Sequence, residues 1–454
     1  MTDVPAQHLQ VVIADDGTMD PRSRAPFAAW AAALQQAQDG GEVPRVVLAC
    51  HGGLVGEAAG RTFAAQVATT FPDDWSLTFL TRTGLADTLG QLLGGPVFAW
   101  LREGVRRVLA AFEALNPSLV PAGDPVTLQS LRGPVTVQPL GFGGPGTGPV
   151  PDQTVDAVLQ RVTGEEFEQH REAWAALGRP QDVPDRAALR AGLLRAASEA
   201  RRLTARRARR RAPSWVGRLE PFAAAPQPAP DHLTLLTPSA VLDANAWDAY
   251  ITEQVIRELF PLPRLLWARM KQRMAAMLEA GGAGDLVVSA LGPLSGIRVA
   301  LLGHSLGGIL ADGLIRAGQR RAAFGQRIGA VIFLAPANTL GAVLAAPPLP
   351  HARYALMGLV DAEERNETGQ LPWLLSGLYP RTLLYLISNA LEARRETPLF
   401  GMEKYAGSSP QLRAHFGQRL TLAWVPDPLL GVDQRTHGNF MGNPDVQAWI
   451  KAQL

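Results

Sequence analysis

The stretch IRVALLGHSLGGILADGLIRA, Ile297 to Ala317, decides the fold class. Its first six residues form the short apolar run of a buried strand, and the glycine-rich turn Gly303 to Gly308 stops it. From Gly307 to Ala317 the apolar residues return at helical spacing. Ser305 stands between two glycines, each two positions away, in the pattern G-x-S-x-G. That pattern puts a serine on a sharp, strained strand-to-helix turn, with glycines where a Cβ would meet the neighbouring backbone. The serine hydroxyl then projects above the sheet edge. The next amide, Leu306, lies at a helix N-terminus, where an N–H can stabilise a developing oxyanion.

Working outward, the N-terminal part has the rhythm of a parallel sheet. Leu9 to Ala14 reads as a strand, Ala25 to Gln38 as a helix, Val43 to Ala49 as a buried strand, Glu57 to Phe71 as a helix and Trp75 to Thr81 as a strand. The third of these ends in Cys50, His51, Gly52 and Gly53, where glycines allow close approach of backbone to a substrate carbonyl. Gly53 is the expected second oxyanion donor, with Leu54 next. After Ser305 the strands continue at Ile328 to Leu334, Thr382 to Ser388 and Leu420 to Val425, and a last helix covers Asp445 to Leu454.

Composition narrows the classes. Of 454 residues, 47% are hydrophobic and 19% charged, which excludes a wholly disordered chain, a coiled coil and a collagen-like repeat. One cysteine, Cys50, can form neither an intrachain disulfide nor a Cys-rich metal site. The opening residues MTDVPAQHLQVVIADDG lack a secretory pattern, and no run of 18 residues is continuously apolar, so a cytoplasmic protein is expected.

The strand-HGG element (Val46 to Gly53), followed far downstream by strand-GHSLGG-helix, resembles the α/β-hydrolase superfamily of serine esterases and lipases. The resemblance covers Val43 to Thr81 and Ile297 to the C-terminus. It implies an α/β fold, a mostly parallel sheet flanked by helices, and hydrolysis of a carboxylic ester, with a lipid or apolar acyl substrate and no cofactor or metal. It also implies the chain order nucleophile, acid, histidine. His351, His415 and His437 follow Ser305, and His437, in QRTHGNF between the last strand and the last helix, stands where the superfamily places its base. For the acid, Glu392 is the first carboxylate after the expected strand Thr382 to Ser388; Asp427, Asp433 and Asp361 remain as alternatives.

The expected organisation is a split core, residues 1–85 and 285–454, with a mostly helical, Pro/Gly-rich insertion at 86–284. Helices are expected at 97–115, 154–177, 185–211 and 245–280, and Trp100, Trp174, Trp215, Trp247 and Trp267 belong to this stretch, as pocket wall or as its own core. Charge is concentrated there. Asp185 to Arg218 holds 11 arginines against Asp185 and Glu199, a net +9, so the overall +2 conceals −7 elsewhere. Its cations, among them Arg201, Arg202, Arg206, Arg207, Arg209, Arg210 and Arg211, suit a solvated helix or contact with an anionic membrane surface. Nucleic acid is not expected, because few aromatics accompany the arginines. Nor is a nucleotide: Gly141, Gly143 and Gly146 match G-x-G-x-x-G, but Pro145, Pro149 and Pro151 remove the amides a phosphate needs. Acyl transfer would use the same catalytic residues, and an interaction protein acting through the insertion is the reading from a different class.

Overall fold

A computed structural model describes residues 7–53, 57–81, 261–367 and 381–454, with positions 249, 253, 257 and 379. The expected helices at 97–115, 154–177 and 185–211, the basic segment, Trp100, Trp174, Trp215, Trp247, the Gly141 to Gly146 motif and Leu54 lie outside the described residues. The chain divides into two compact units. One comprises Met1–Phe98, Leu262–Trp373 and Arg381–Leu454; the other comprises Ala99–Pro261 and Leu374–Pro380. In the second, the Tyr379 hydroxyl donates to Glu253 Oε1 at 2.8 Å, both side chains being buried.

The first unit holds a seven-stranded, all-parallel sheet: β1 His8–Ile13, β2 Arg45–Cys50, β3 Trp75–Thr81, β4 Arg298–His304, β5 Ile328–Leu334, β6 Arg353–Leu359 and β7 Leu420–Val425. Their spatial order is β1-β3-β2-β4-β5-β6-β7. The six longest described helices are α1 Pro21–Asp39, α2 Glu57–Thr70, α3 Pro261–Ala276, α4 Ala283–Leu291, α5 Gly307–Arg320 and α6 Pro444–Gln453. Among the described residues no helix is long and apolar enough to cross a membrane.

Central strands read as continuous apolar runs because helices cover both faces of a parallel sheet. β3 is buried at every position, and β4 at every position but Arg298, whereas the edge strands β1 and β7 bury only alternate residues toward their ends. α5 lays Leu310, Ala311, Leu314, Ile315 and Gly318 onto the sheet, three and four apart.

Sheet order locates the crevice. From β2 the chain builds outward through β3 in one direction, while β4 to β7 build outward in the other. Cys50 at the end of β2 is in register with Gly303 near the end of β4. The strand order therefore switches between these two neighbours, and open α/β sheets bind ligands at the carboxyl ends of the strands at such a point.

Two expectations are corrected. Thr382 to Ser388 is not a strand: Leu383–Leu386 is a helical turn that runs into the π-helical turn Ile387–Leu391. The run TLLYLIS is buried at every position but Leu383, and a short, mostly apolar run has no period by which strand and buried helix differ. The strand beside β7 is instead β6, RYALMGL, paired with β5 and β7 along its length. Its lack of β-branched residues and its Gly358 hide it from a propensity reading. In addition, α3, expected at the end of the insertion, falls within the sheet unit, where Met270, Met274 and Met277 are buried.

Candidate active site

Ser305 directly follows β4 with φ of +52°, a left-handed conformation that costs a non-glycine residue about 1–3 kcal/mol. Its surroundings hold it there. The Ser305 amide donates to Leu334 O at 2.9 Å, and its carbonyl accepts from Gly308 and Ala337 amides at 3.0 and 2.9 Å. The flanking glycines are required by space. A Cβ on Gly307 would come within 2.1 Å of Cys50 O, and one on Gly303 within 2.6 Å of Gly307 O.

Ser305 Oγ lies 3.0 Å from His437 Nε2, and both side chains are buried. His437 opens the turn His437–Gly442, just before α6. Burial, with His304 as a lesser cause, lowers its pKa to about 3, so the imidazole is neutral and Nε2 can accept the serine proton. Burial raises the Cys50 thiol pKa to about 12, so it stays protonated and unreactive.

Side chains grip the main chain of His437 at both ends. Its amide donates to Glu367 Oε1 at 2.9 Å, and its carbonyl accepts from His304 Nε2 at 2.8 Å. His304 is held neutral by burial, which lowers its pKa to about 4 although the His437 carbonyl pulls the other way. His437 is therefore tied both to His304, the residue before Ser305, and to the segment after β6.

Glu367 was not singled out by the sequence. It is 4% exposed, and its Oε2 has no hydrogen-bond partner among the described residues. Burial raises its pKa to about 7, opposed by the His437 amide. His437 Nδ1 is likewise buried and, among the described residues, without a partner. A buried acceptor and a buried donor left open on two residues already bonded to each other are complementary, and unpaired buried polar groups of this kind concentrate at reactive sites. The sequence signal that could have found Glu367 is its position, eight residues past the end of β6, once that strand is recognised.

The expected acid, Glu392, is engaged elsewhere. Trp267 Nε1 and Lys271 Nζ both donate to its Oε1 at 2.7 Å. Asp361 accepts from the Tyr385 hydroxyl and pairs with Arg365. Asp427 Oδ1 accepts the Leu429 amide within its own turn, and Asp433 is an exposed partner of Arg435 at 2.7 Å. Neither these four nor Glu367 bonds to His437 Nδ1; Glu367 differs in bonding to the main chain of His437.

Both expected oxyanion donors that are described lie beside the serine. The Leu306 amide precedes α5 and donates to no acceptor among the described residues. Gly52 and Gly53 press on the same turn: a Cβ on Gly52 would come within 3.2 Å of Ser305 Cβ, and one on Gly53 within 2.9 Å of Leu306 Cβ. Among the described residues no group of three or more His, Cys, Asp or Glu side chains is placed to hold a metal ion. No protein-family model, curated protein or solved structure matches this chain.

Proposed function

We propose that the protein is a serine hydrolase of the α/β-hydrolase type, cleaving a carboxylic ester with an apolar acyl group. The observation that carries this reading is the 3.0 Å contact between Ser305 Oγ, on a left-handed strand-to-helix turn, and the neutral Nε2 of His437. Ser305 Oγ attacks the ester carbonyl while its proton passes to His437 Nε2. The resulting imidazolium returns that proton to the leaving alcohol, and a water then repeats the sequence on the acyl-enzyme. Glu367, with Oε2 open and Oε1 on the His437 amide, is the carboxylate that receives Nδ1–H and stabilises the imidazolium. The amides of Leu306 and Gly53 hold the oxyanion. The test is labelling by a fluorophosphonate probe: the native protein labels at Ser305 and Ser305→Ala does not. Equal labelling of the two proteins removes the reading.

Transfer of the acyl group to an alcohol or thiol other than water uses the same steps. In this reading the protein is cytoplasmic, and the net +9 of Asp185 to Arg218 supports a peripheral contact with anionic lipid. Sedimentation with phosphatidylserine vesicles at low salt is expected to carry the protein down. Neutralising Arg206, Arg207, Arg209, Arg210 and Arg211 should leave it in solution; no sedimentation of the native chain rejects the contact.

A further inference from the structure

His51 closes β2 and is 1% exposed, yet it takes no part in the proton path from Ser305 to His437. Both its ring nitrogens are used. Nε2 lies 3.2 Å from the Thr81 amide at the end of β3, and Nδ1 lies 2.7 Å from the Gly52 carbonyl oxygen. An amide N–H can only donate, so Nε2 is the lone-pair nitrogen and Nδ1 carries the proton given to Gly52 O. Burial lowers the ring pKa and favours this neutral form. The ring has little room to turn: Phe63 meets it edge-on, and a Cβ on Gly60 of α2 would come within 2.9 Å of Nε2.

The consequence lies in the next peptide. The Gly52 carbonyl and the Gly53 N–H belong to one planar trans unit, and in such a unit the two point in opposite directions. Fixing the carbonyl on His51 fixes the direction of the N–H. Two glycines in succession would otherwise leave that peptide free to rotate. It is also the peptide packed on the nucleophile turn, with Gly52 against Ser305 and Gly53 against Leu306.

We infer that His51 is a positioning residue: through its Nδ1–H bond to the Gly52 carbonyl it aims the Gly53 N–H at the oxyanion formed on the substrate of Ser305. The inference rests on the serine hydrolase reading. An oxyanion donor held in place before reaction contributes about 10²–10³ in rate, because no reorganisation is needed as charge develops. Thr81 sets the tautomer, so the amide end of one strand determines which proton is available at the end of another.

Two substitutions separate the two bonds. In His51→Asn the side-chain amide nitrogen falls where Nδ1 stands and can still donate to Gly52 O. In His51→Gln the amide reaches only as far as Nε2, answering Thr81 and leaving Gly52 unheld. With a fluorophosphonate probe, whose P–O group occupies the oxyanion position, His51→Asn is expected to keep the maximal labelling rate within about fivefold and His51→Gln to lose about 10²-fold, at little-changed probe affinity. Equal rates for the two folded variants overturn the inference and leave the hydrolase reading standing. Absence of labelling at Ser305 in the native protein overturns both. Should the variants not fold, the native protein still decides: ¹⁵N-histidine NMR should show His51 protonated at Nδ1 and bare at Nε2, and the opposite tautomer refutes the inference.

Discussion

Two of the three described buried glutamates that follow β6 in the chain stand in opposite circumstances. Glu392 is 6% exposed and accepts from an indole and an ammonium; Glu367 is 4% exposed, with one oxygen on a main-chain amide and the other on nothing. The first is a structural anchor, tying α3 to the segment after Leu391. The second retains a buried, unsatisfied acceptor, which costs about 1–3 kcal/mol and persists where a reaction uses it. Burial alone does not distinguish a catalytic carboxylate from a structural one. What sets Glu367 apart is spare hydrogen-bonding capacity together with a bond to the His437 main chain; Glu364, also buried with both oxygens unpartnered among the described residues, bonds to no part of His437.

The comparison breaks most sharply under Glu367→Gln. Replacing the carboxylate by an amide removes the charge that stabilises the imidazolium, and the maximal rate is expected to fall by about 10²–10⁴ with little change in unfolding free energy. An unchanged rate would return the acid role to another residue. A pH profile sharpens the same contrast. Because burial raises the Glu367 pKa to about 7 while that of His437 is lowered to about 3, the ionisation that limits activity near neutrality is the carboxyl's. Activity should be full above pH 7 and decline as pH falls through it, and Glu367→Gln should lose that limb. A limb that persists in the variant assigns the ionisation elsewhere. Linkage runs the other way for stability: between the ordinary carboxyl value of 4.5 and about 7 the folded chain holds a proton that the unfolded chain has released, so Glu367's contribution weakens as pH rises.

Glu392→Gln gives the smaller effect, and in the other observable. Its charge-assisted bonds to Trp267 and Lys271 are each of the kind that contributes about 1.5–3 kcal/mol, reduced here because Lys271 is partly exposed. We expect a loss of about 2 kcal/mol in urea unfolding and activity within twofold of the native protein. A large loss of activity at unchanged stability would reverse the roles of the two glutamates.

Why the sequence pointed to Glu392 is instructive. The strands at Trp75 to Thr81, Ile328 to Leu334 and Leu420 to Val425 are legible because each is a compact apolar run bounded by turn residues. TLLYLIS has the same appearance and folds as buried helical turns, whereas β6 lacks β-branched residues and follows a proline-rich approach, Pro347 to Pro350. Taking one for the other moved the expected acid from the segment after β6 to the segment after Leu391. Ser305, Leu306, Gly53 and His437 were unaffected, because their positions depend on the glycine turns and on the last strand and helix, which are read from local pattern alone.

By itself the sequence determined what is local: the strand-serine-helix turn, whose glycines are dictated by contacts as close as 2.1 Å, the apolar strands of a parallel sheet, and the histidine that precedes the last helix. Only the tertiary structure decided which carboxylate meets the His437 main chain, which tautomer His51 adopts, and that His304 and Glu367 hold both ends of that main chain. The reason is one of range. Turn sterics and side-chain periodicity act over a few residues and leave a pattern in the chain. A hydrogen bond between residues 70 apart, such as Glu367 to His437, is selected by burial and by which strand lies beside which, and leaves none.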